Sequence, residues 1–534
     1  MPPAVPAFLY EIGVLRREIT NHPLLFLIAV WLVLTAARKL LRRDSTAPPY
    51  SGRLVILLAA LGLGAYVATV VWYQQSDQYA DAAEPTMAAI AWLFELGRPI
   101  YHGVDTAERY SHVYGPMAFI IPGWTLALLG PDIGTSKIAG TLAGLLSAGV
   151  VFLLTRAVAG RTPAVVLTGW YALCCLMFQN VSFWIRPDSF ELLFAAGALA
   201  AVASWPRALW SACLLGLATG VLVNLKFTAP AYVFPAFALL IVHRRWWGLV
   251  AASVVAAIAA IMPFIAYDNV SFANLELWVR LSARNGLLAP LLRRNAEWSV
   301  FLLIPWLAHL RRDRLDPVER AVVSAVALGM GLVAVAGSKP GAGPYHLLPF
   351  VPAILYAALL SLRRIGSDVT PAQARIAEAF ALSIALIATL QMWQFVQIAT
   401  RTRDMPIADD LRRTLDRYPT SKIAMGYSGQ NQAYPSVRPI LVFRQGEYLL
   451  DAPAIQEHQL SGIGLPPASL QAIESCQFDI WLIPKDGEPF SLRNQYAQTG
   501  HAPLFPESFR GTFFKTYRRE TSSEYFDLWR CSRR

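Results

Sequence analysis

The sequence predicts an α-helical polytopic membrane protein with a soluble α/β domain at its C-terminal end. Of its 534 residues, 55% are hydrophobic and only 15% are charged, whereas soluble domains carry about 25% charged residues. Apolar runs of spanning length recur up to about Ala399. The remaining residues are polar and mixed, with no spanning run. We therefore divide the chain into a transmembrane module, residues 1–399, and an external α/β domain, residues 400–534.

Basic residues predict the topology of the transmembrane module. The formal net charge is +11, and in membrane proteins such an excess gathers in cytoplasmic loops, so it does not indicate nucleic-acid binding. The first loop is placed in the cytoplasm by Arg38, Lys39, Arg42 and Arg43, which makes residues 74–136 the first external loop. The run 114–130 is short and contains two prolines, so we interpret it as interfacial or re-entrant. This arrangement predicts about 12 spanning helices in a bacterial inner membrane, with the external face towards the periplasm.

The external domain combines helical and strand-like segments. Cys476 and Cys531 both fall in this domain, where an oxidising compartment would allow a disulfide, and the sequence leaves their pairing open. The segments are a helix at 407–418 and strands at 422–427, 478–484 and 525–529.

Two carboxylates of the first external loop are candidates for catalysis. Asp81 and Glu84 are three residues apart and share a helix face, and a carboxylate at the mouth of a membrane cavity can act as a general base. The alternative is structural, because Glu84 precedes Pro85 at a helix start, where acidic residues also cap. Further polar residues of this loop are candidates for substrate binding, namely Arg109, Tyr110 and Tyr114.

Later external loops supply cations and one more carboxylate. Arg and Lys side chains on one side of a bilayer suit a phosphate-bearing lipid. The alternatives are a local ion pair at Arg186, snorkelling of Lys226, and a loop-orienting role for His346. The candidates for phosphate binding are Arg186, Lys226 and Lys339, and those for substrate binding are Asp188 and His346. No metal signature, P-loop or dinucleotide fingerprint is present, so we expect no cofactor, with a divalent metal left open.

Three motifs resemble those of the GT-C superfamily of integral-membrane glycosyltransferases, which includes the protein O-mannosyltransferases and the aminoarabinose and rhizobial lipopolysaccharide transferases. The first follows a spanning helix and comprises Asp81, Glu84, Pro85, Gly97, Pro99, Tyr101, Tyr114, Gly115 and Pro116. The second is Arg186-Pro187-Asp188 at a helix start. The third comprises Gly216, Gly220, Lys226 and Thr228.

This resemblance implies transfer of a sugar from a polyprenyl-phosphate donor to a hydroxyl of a glycan, lipid or protein acceptor, with inversion, at the outer face of the membrane. The essential carboxylate of that superfamily corresponds to Asp81 or Glu84. Its adjacent Asp-Glu pair is absent here, since Ala82 and Ala83 separate the two acids. The basic residues of later loops are implied to hold the lipid phosphate.

Two other functions stay open at the level of the sequence. A transporter or flippase for a lipid-linked glycan would use a similar set of groups, although no inverted repeat is apparent. A catalytically inactive scaffold of an envelope-synthesis complex is the second. Membrane lipids are expected partners in every case.

Overall fold

A computed structural model describes residues 7–40, 52–307, 316–365, 370–403, 406–429, 434–495 and 502–533. Arg42 and Arg43, on which part of the predicted topology depends, lie outside the described residues.

Most of the described chain is helical. Its first half contains α1 (Ala7–Asn21), α2 (Pro23–Leu40), α3 (Gly52–Gln75), α4 (Glu84–Glu95), α5 (Met117–Leu129), α6 (Ile133–Ala159), α7 (Arg161–Leu176), α8 (Pro187–Ser204), α9 (Leu209–Val223), α10 (Phe234–Val242) and α11 (Trp246–Ala266). Its second half contains α12 (Phe272–Ser282), α13 (Ala289–Leu307), α14 (Pro317–Ala336), α15 (Val351–Ile365), α16 (Pro371–Arg403), α17 (Ile407–Arg417), α18 (Arg438–Gln445), α19 (Ala452–Leu460), α20 (Pro467–Glu474) and α21 (Glu507–Thr516).

Several helices are long and apolar enough to cross a membrane, so the chain is a multi-pass membrane protein. Six of the described helical segments meet this criterion, or seven if α1 and α2, which are bent by 103°, form one span. The predicted number of about 12 is not confirmed. The difference arises because apolar stretches such as those at α9 and α10 form helices of 15 and 9 residues, shorter than the ~20 that a bilayer needs.

The chain divides into two compact units. The first, which we call the helical unit, comprises Met1–Trp72, Gly140–Ile261 and Leu287–Gln397. The second, the mixed unit, comprises Tyr73–Ala139, Met262–Gly286 and Ile398–Arg534. The C-terminal segment thus forms one body with two earlier stretches, one of which is the first predicted external loop.

Within the helical unit, glycines bring α9 close to α11. A Cβ atom at Gly216 would lie 2.4 Å from the carbonyl oxygen of Ala252, and one at Gly220 would lie 2.5 Å from the Cβ of Ala259. Glycines four residues apart share a helix face and allow such close packing. Asn224, just after α9, donates to the carbonyl oxygen of Ala259 at 3.1 Å. These contacts fix the end of α9, two residues before Lys226.

The mixed unit contains a four-stranded sheet in the order β1-β2-β4-β3. Its strands are β1 (Ile423–Met425), β2 (Ile480–Pro484), β3 (Tyr517–Ser522) and β4 (Phe526–Cys531). β1 and β2 are parallel, and β4 is antiparallel to β2 and β3. Trp481 and Ile483 of β2 belong to one hydrophobic core and Ile480 and Leu482 to another. Both faces of β2 are therefore covered, which explains its continuous apolar sequence.

Three strands and one helix were predicted in this segment, and each is present within about three residues of its predicted position. β3 was not predicted. A disulfide joins Cys476 to Cys531, with their Cα atoms 6.0 Å apart, and it fastens the end of β4 to the turn before β2.

Candidate active site

A buried group of charged side chains lies in the helical unit. Arg186 precedes α8, Pro187 occupies its first turn, and Asp188 follows in that turn, where an acidic residue favours the helix dipole. Glu191 lies three residues further on, on the same helix face. Lys226 donates from Nζ to Asp188 Oδ1 at 2.6 Å and lies 3.4 Å from Glu191 Oε1. We call Asp188, Glu191 and Lys226 the Asp–Glu–Lys cluster.

Residues from the loop before α15 complete this cluster. His346 Nδ1 lies 3.5 Å from Asp188 Oδ1. The neighbouring Tyr345 is within 3.4 Å of the guanidinium of Arg186, through its hydroxyl oxygen. That guanidinium also lies over the ring of Trp184, 4.1 Å from the ring centre. The structure therefore brings together four predicted site residues, Arg186, Asp188, Lys226 and His346.

The Asp–Glu–Lys cluster retains capacity for a further donor. Asp188 is 98% buried, and its Oδ2 accepts no hydrogen bond in the described part of the chain. A buried acceptor without a donor is costly, so a hydroxyl or ammonium group of a ligand would be favoured there. Lys339, the remaining predicted cation, lies in the turn after α14, and its carbonyl oxygen accepts from Ala342 at 3.1 Å.

The predicted catalytic carboxylates lie in the mixed unit, in different surroundings. Glu84 is fully buried, and its Oε1 accepts from the backbone amides of Ala80 at 3.0 Å and Asp81 at 2.9 Å. Tyr73 donates its hydroxyl to Oε2. Burial raises the pKa of Glu84 to about 7, although the hydrogen bond from Tyr73 opposes this. Asp81 is half-buried, and its Oδ1 accepts from the amide of Ala83 at 2.9 Å.

A buried lysine holds the chain just before these carboxylates. Lys137 donates from Nζ to the carbonyl oxygens of Tyr73, Ser76 and Gln78 at 3.1, 2.7 and 2.6 Å. It also lies over the rings of Tyr73 and Tyr79. Carbonyl oxygens at the C-terminal end of a helix lack intrahelical donors. The ammonium of Lys137 provides hydrogen-bond donors at this end of α3. The sequence analysis missed this residue.

Two of the predicted substrate-binding residues make contacts with the backbone of their own loop. Arg109 is buried and donates to the carbonyl oxygens of Val104 and, at 3.4 Å, Gly103. Tyr110 is also buried and donates its hydroxyl to the carbonyl oxygen of Pro99 at 2.9 Å. These contacts shape the loop, and a role in substrate binding stays a prediction for both.

Tyr114 is half-buried, and its carbonyl oxygen accepts from the hydroxyl of Tyr101 at 2.6 Å. Its ring stacks on that of His112, with 6.0 Å between their centres. Its predicted role in substrate binding is untested by these contacts.

A second buried network of the mixed unit was not predicted. Asp451, at the start of α19, accepts from the hydroxyls of Thr86 at 2.5 Å and Tyr448, and lies 3.0 Å from His112 Nε2. Glu457 lies 3.7 Å from the other ring nitrogen. Burial alone would lower the pKa of His112, but these two carboxylates raise it to about 9. Burial would raise the pKa of Asp451, but the hydrogen bond and charge of His112 hold this pKa below its ordinary value.

Groups of three or more His, Cys, Asp or Glu side chains that could hold a metal ion do not occur among the described residues.

The fold matches that of known membrane proteins. ArnT from Cupriavidus metallidurans, solved bound to undecaprenyl phosphate, aligns over 90% of this chain and 98% of its own, with a TM-score of 0.52 and 13% sequence identity. The apo structure of the same ArnT covers the same shares, with a TM-score of 0.50 and 12% identity. The predicted GT-C fold is confirmed.

A further structure, arabinosyltransferase EmbB from Mycobacterium smegmatis, covers 83% of this chain and 45% of its own, with a TM-score of 0.43 and 13% identity. No protein-family model and no curated protein matches the sequence. The likeness to ArnT concerns the fold.

Proposed function

We propose that the chain is a glycosyltransferase that moves a sugar from a polyprenyl-phosphate donor to a hydroxyl of a glycan, lipid or protein acceptor. The observation that carries this proposal is the ArnT fold, in a form that was solved with undecaprenyl phosphate bound. A polyprenyl-phosphate sugar has the same lipid and phosphate parts. The cations and carboxylates of this chain supply the groups that such a reaction needs.

Arg186 is assigned the main contact with the donor phosphate. Its planar guanidinium can bind two phosphate oxygens at once. Trp184 and Tyr345 hold it in place. Lys226 is already bound by Asp188 and Glu191, so it is assigned the role of holding the Asp–Glu–Lys cluster together. Lys339 is assigned a second phosphate contact.

Asp81 is assigned the role of base, and Glu84 the role of holding the loop. A base must present an oxygen to the acceptor hydroxyl. Glu84 is fully buried, and both of its oxygens already accept hydrogen bonds, whereas Asp81 is only half-buried. The two backbone amides that Glu84 binds belong to Ala80 and to Asp81 itself, so Glu84 orients the residue that acts.

The proposed reaction is a single displacement. Asp81 takes the proton from the acceptor hydroxyl as its oxygen attacks the anomeric carbon of the sugar. The bond between that carbon and the phosphate oxygen breaks, and polyprenyl phosphate leaves with the bonding electrons, stabilised by Arg186. The configuration at the anomeric carbon is inverted.

The disulfide between Cys476 and Cys531 supports an external location for the mixed unit, because disulfides persist in oxidising compartments such as the bacterial periplasm. We propose the bacterial inner membrane as the location of the protein.

The test uses the purified chain in lipid nanodiscs with a panel of polyprenyl-phosphate sugars and candidate acceptors. Free polyprenyl phosphate is measured by mass spectrometry, with and without EDTA to test for a divalent-metal requirement. D81N is expected to lower kcat by about 100-fold or more. E84Q is expected to retain part of the activity, and D105N, at an exposed position of the same loop, is the matched control and is expected to be unchanged.

Loss of activity in E84Q together with full activity in D81N would reverse the two assignments. Intact activity in both would exclude this loop as the source of the base. In proteoliposomes, movement of a lipid-linked glycan across the bilayer without cleavage of the sugar–phosphate bond would favour a transporter. Saturable lipid binding without either activity would favour a scaffold.

A further inference from the structure

The mixed unit holds a buried arginine whose charge has no counter-ion in the described part of the chain. Arg438, the first residue of α18, is 96% buried. Its guanidinium donates one hydrogen bond, from NH2 to the carbonyl oxygen of Gly426 at 3.3 Å, and its Nε donates to no acceptor. Buried charges are normally paired, because an unpaired one loses its hydration without compensation.

Two tyrosines hold this guanidinium in place. It lies 4.0 Å from the ring centre of Tyr427 and 5.9 Å from that of Tyr448. Both hydroxyls are occupied elsewhere, since Tyr427 donates to the carbonyl oxygen of Leu450 at 3.2 Å and Tyr448 donates to Asp451. The rings are therefore fixed, and cation–π contact orients the guanidinium without using its N–H groups.

Arg438 lines a narrow cavity of the mixed unit. Trp481 also lines it, and the indole Nε1 of Trp481 is buried without an acceptor. Glu447 is the acidic residue of the lining, but Lys422 binds its carboxylate at 2.7 Å. Among the described residues, the Nε of Arg438 and the Nε1 of Trp481 thus lack acceptors, and the charge of Arg438 has no counter-ion.

We propose that this cavity binds an anionic oxygen group, a carboxylate or a phosphate, through Arg438. If the chain is the glycosyltransferase proposed above, on which this part of the inference rests, the anionic group belongs to the acceptor, and the acceptor is an acidic glycan or a phosphorylated one. The planar guanidinium supplies directed N–H donors to such a group.

The binding test needs no sugar donor. The full chain in phosphatidylcholine nanodiscs is titrated calorimetrically with inorganic phosphate and separately with glucuronate, at constant ionic strength set with chloride. R438Q is expected to weaken the binding of whichever anion binds by about 10- to 100-fold, the usual worth of a hydrogen bond to a charged group. R444Q is the matched control, because Arg444 lies on the same helix, is exposed and pairs with Asp416 at 2.6 Å; its binding is expected to be unchanged.

Binding of phosphate alone would identify a phosphorylated acceptor group, and binding of glucuronate alone an acidic sugar. Equal affinity in wild type and R438Q, or no binding of either anion by wild type, would overturn the proposal. If R438Q does not fold, R438K replaces it. Its ammonium lacks the planar donor fork, so a wild-type affinity in R438K would also overturn the proposal.

The failure of this proposal and that of the proposed function are separable. Anion binding that depends on Arg438, in a protein that releases no polyprenyl phosphate, would contradict the transferase and leave the anion site standing. Sugar transfer by the wild type, with no anion binding and with the same acceptor KM in R438Q, would support the transferase and contradict the anion site.

Discussion

Each of the two units contains a buried lysine, and the two lysines are bound in different ways. In the helical unit, Lys226 is bound by the side chains of Asp188 and Glu191. In the mixed unit, Lys137 is bound by three backbone carbonyls, and Glu84 accepts from two backbone amides. Side-chain partners can change rotamer and exchange with a ligand, whereas backbone partners are fixed by the fold.

This difference separates charged groups that are suited to bind a ligand from charged groups that are suited to hold a segment of the chain in place. The Asp–Glu–Lys cluster is a buried ion pair with an acceptor to spare, at Asp188 Oδ2 in the described part of the chain. Lys137 and Glu84 instead fix the segment that contains Asp81. Four measurements test the comparison, in decreasing order of expected effect.

The largest effect is expected from K226M, which removes the cation that binds both Asp188 and Glu191. An uncompensated buried charge costs about 3–5 kcal/mol, so the free energy of unfolding, measured by steric trapping in nanodiscs, should fall by about that amount. The double variant D188N/K226M removes both charges and should lose less than the sum of the two single losses. Additive losses would show that the pair is not coupled.

The second effect concerns a side-chain pair of the mixed unit. Burial lowers the pKa of His112, but Asp451 and Glu457 raise it to about 9. Protonated His112 therefore stabilises the folded protein fully below about pH 6.5, and this stabilisation is lost as pH rises from 6.5 through 9. The loss is on the order of 3 kcal/mol for such a shift. Thermal unfolding of the wild type should show this decline between pH 6.5 and 9, and H112Q should not; equal slopes would contradict the pairing.

A smaller effect is expected from K137M, which keeps an unbranched apolar side chain and removes the donor to three carbonyls. Leaving buried acceptors unsatisfied costs about 2 kcal/mol, measured as a lowered melting temperature. K422M is the control, since Lys422 is 56% exposed in its pair with Glu447 and its loss should cost much less. Equal effects of the two substitutions would mean that Lys137 does not hold the chain.

The smallest effect is expected from R280A. Arg280 and Glu276 form an exposed pair one helical turn apart on α12, with a separation of 2.5 Å. Exposed pairs of this type contribute about 0.5 kcal/mol or less. A melting temperature close to that of wild type is expected. A large drop would show that an exposed ion pair contributes as much to stability as the buried charged groups do.

The sequence identified polar residues within apolar surroundings better than it identified their partners. Asp188 and Lys226 stand out because charges near a bilayer helix are expensive unless they are used. Their pairing, across 38 residues, depends on how α8 and α9 pack. Glu191 had a usable signal, since it lies one turn after Asp188 in an apolar helix, and the analysis did not use it.

The mixed unit shows where sequence patterns fail. β2 was predicted from its continuous apolar residues, whereas β3, with the pattern Tyr-Arg-Arg-Glu-Thr-Ser, lies at the edge of the sheet and is largely exposed. An edge strand with charged side chains carries little hydrophobic periodicity. Asp451 was missed for another reason, because its partners Thr86 and His112 are more than 300 residues away in the chain.

That separation has a consequence for how the protein is made. Thr86 and Asp451, which are 365 residues apart, belong to the same compact unit. At ~5–20 residues per second, a ribosome needs roughly 20 s or more to travel from one to the other. During this interval the residues around α4 have been synthesised while the aspartate that will bind them has not, and the helices of the other unit are being made between them. During synthesis, the apolar surface around α4 therefore stays exposed until its partner segment has been made. Membrane chaperones that shield this surface should raise the yield of folded protein.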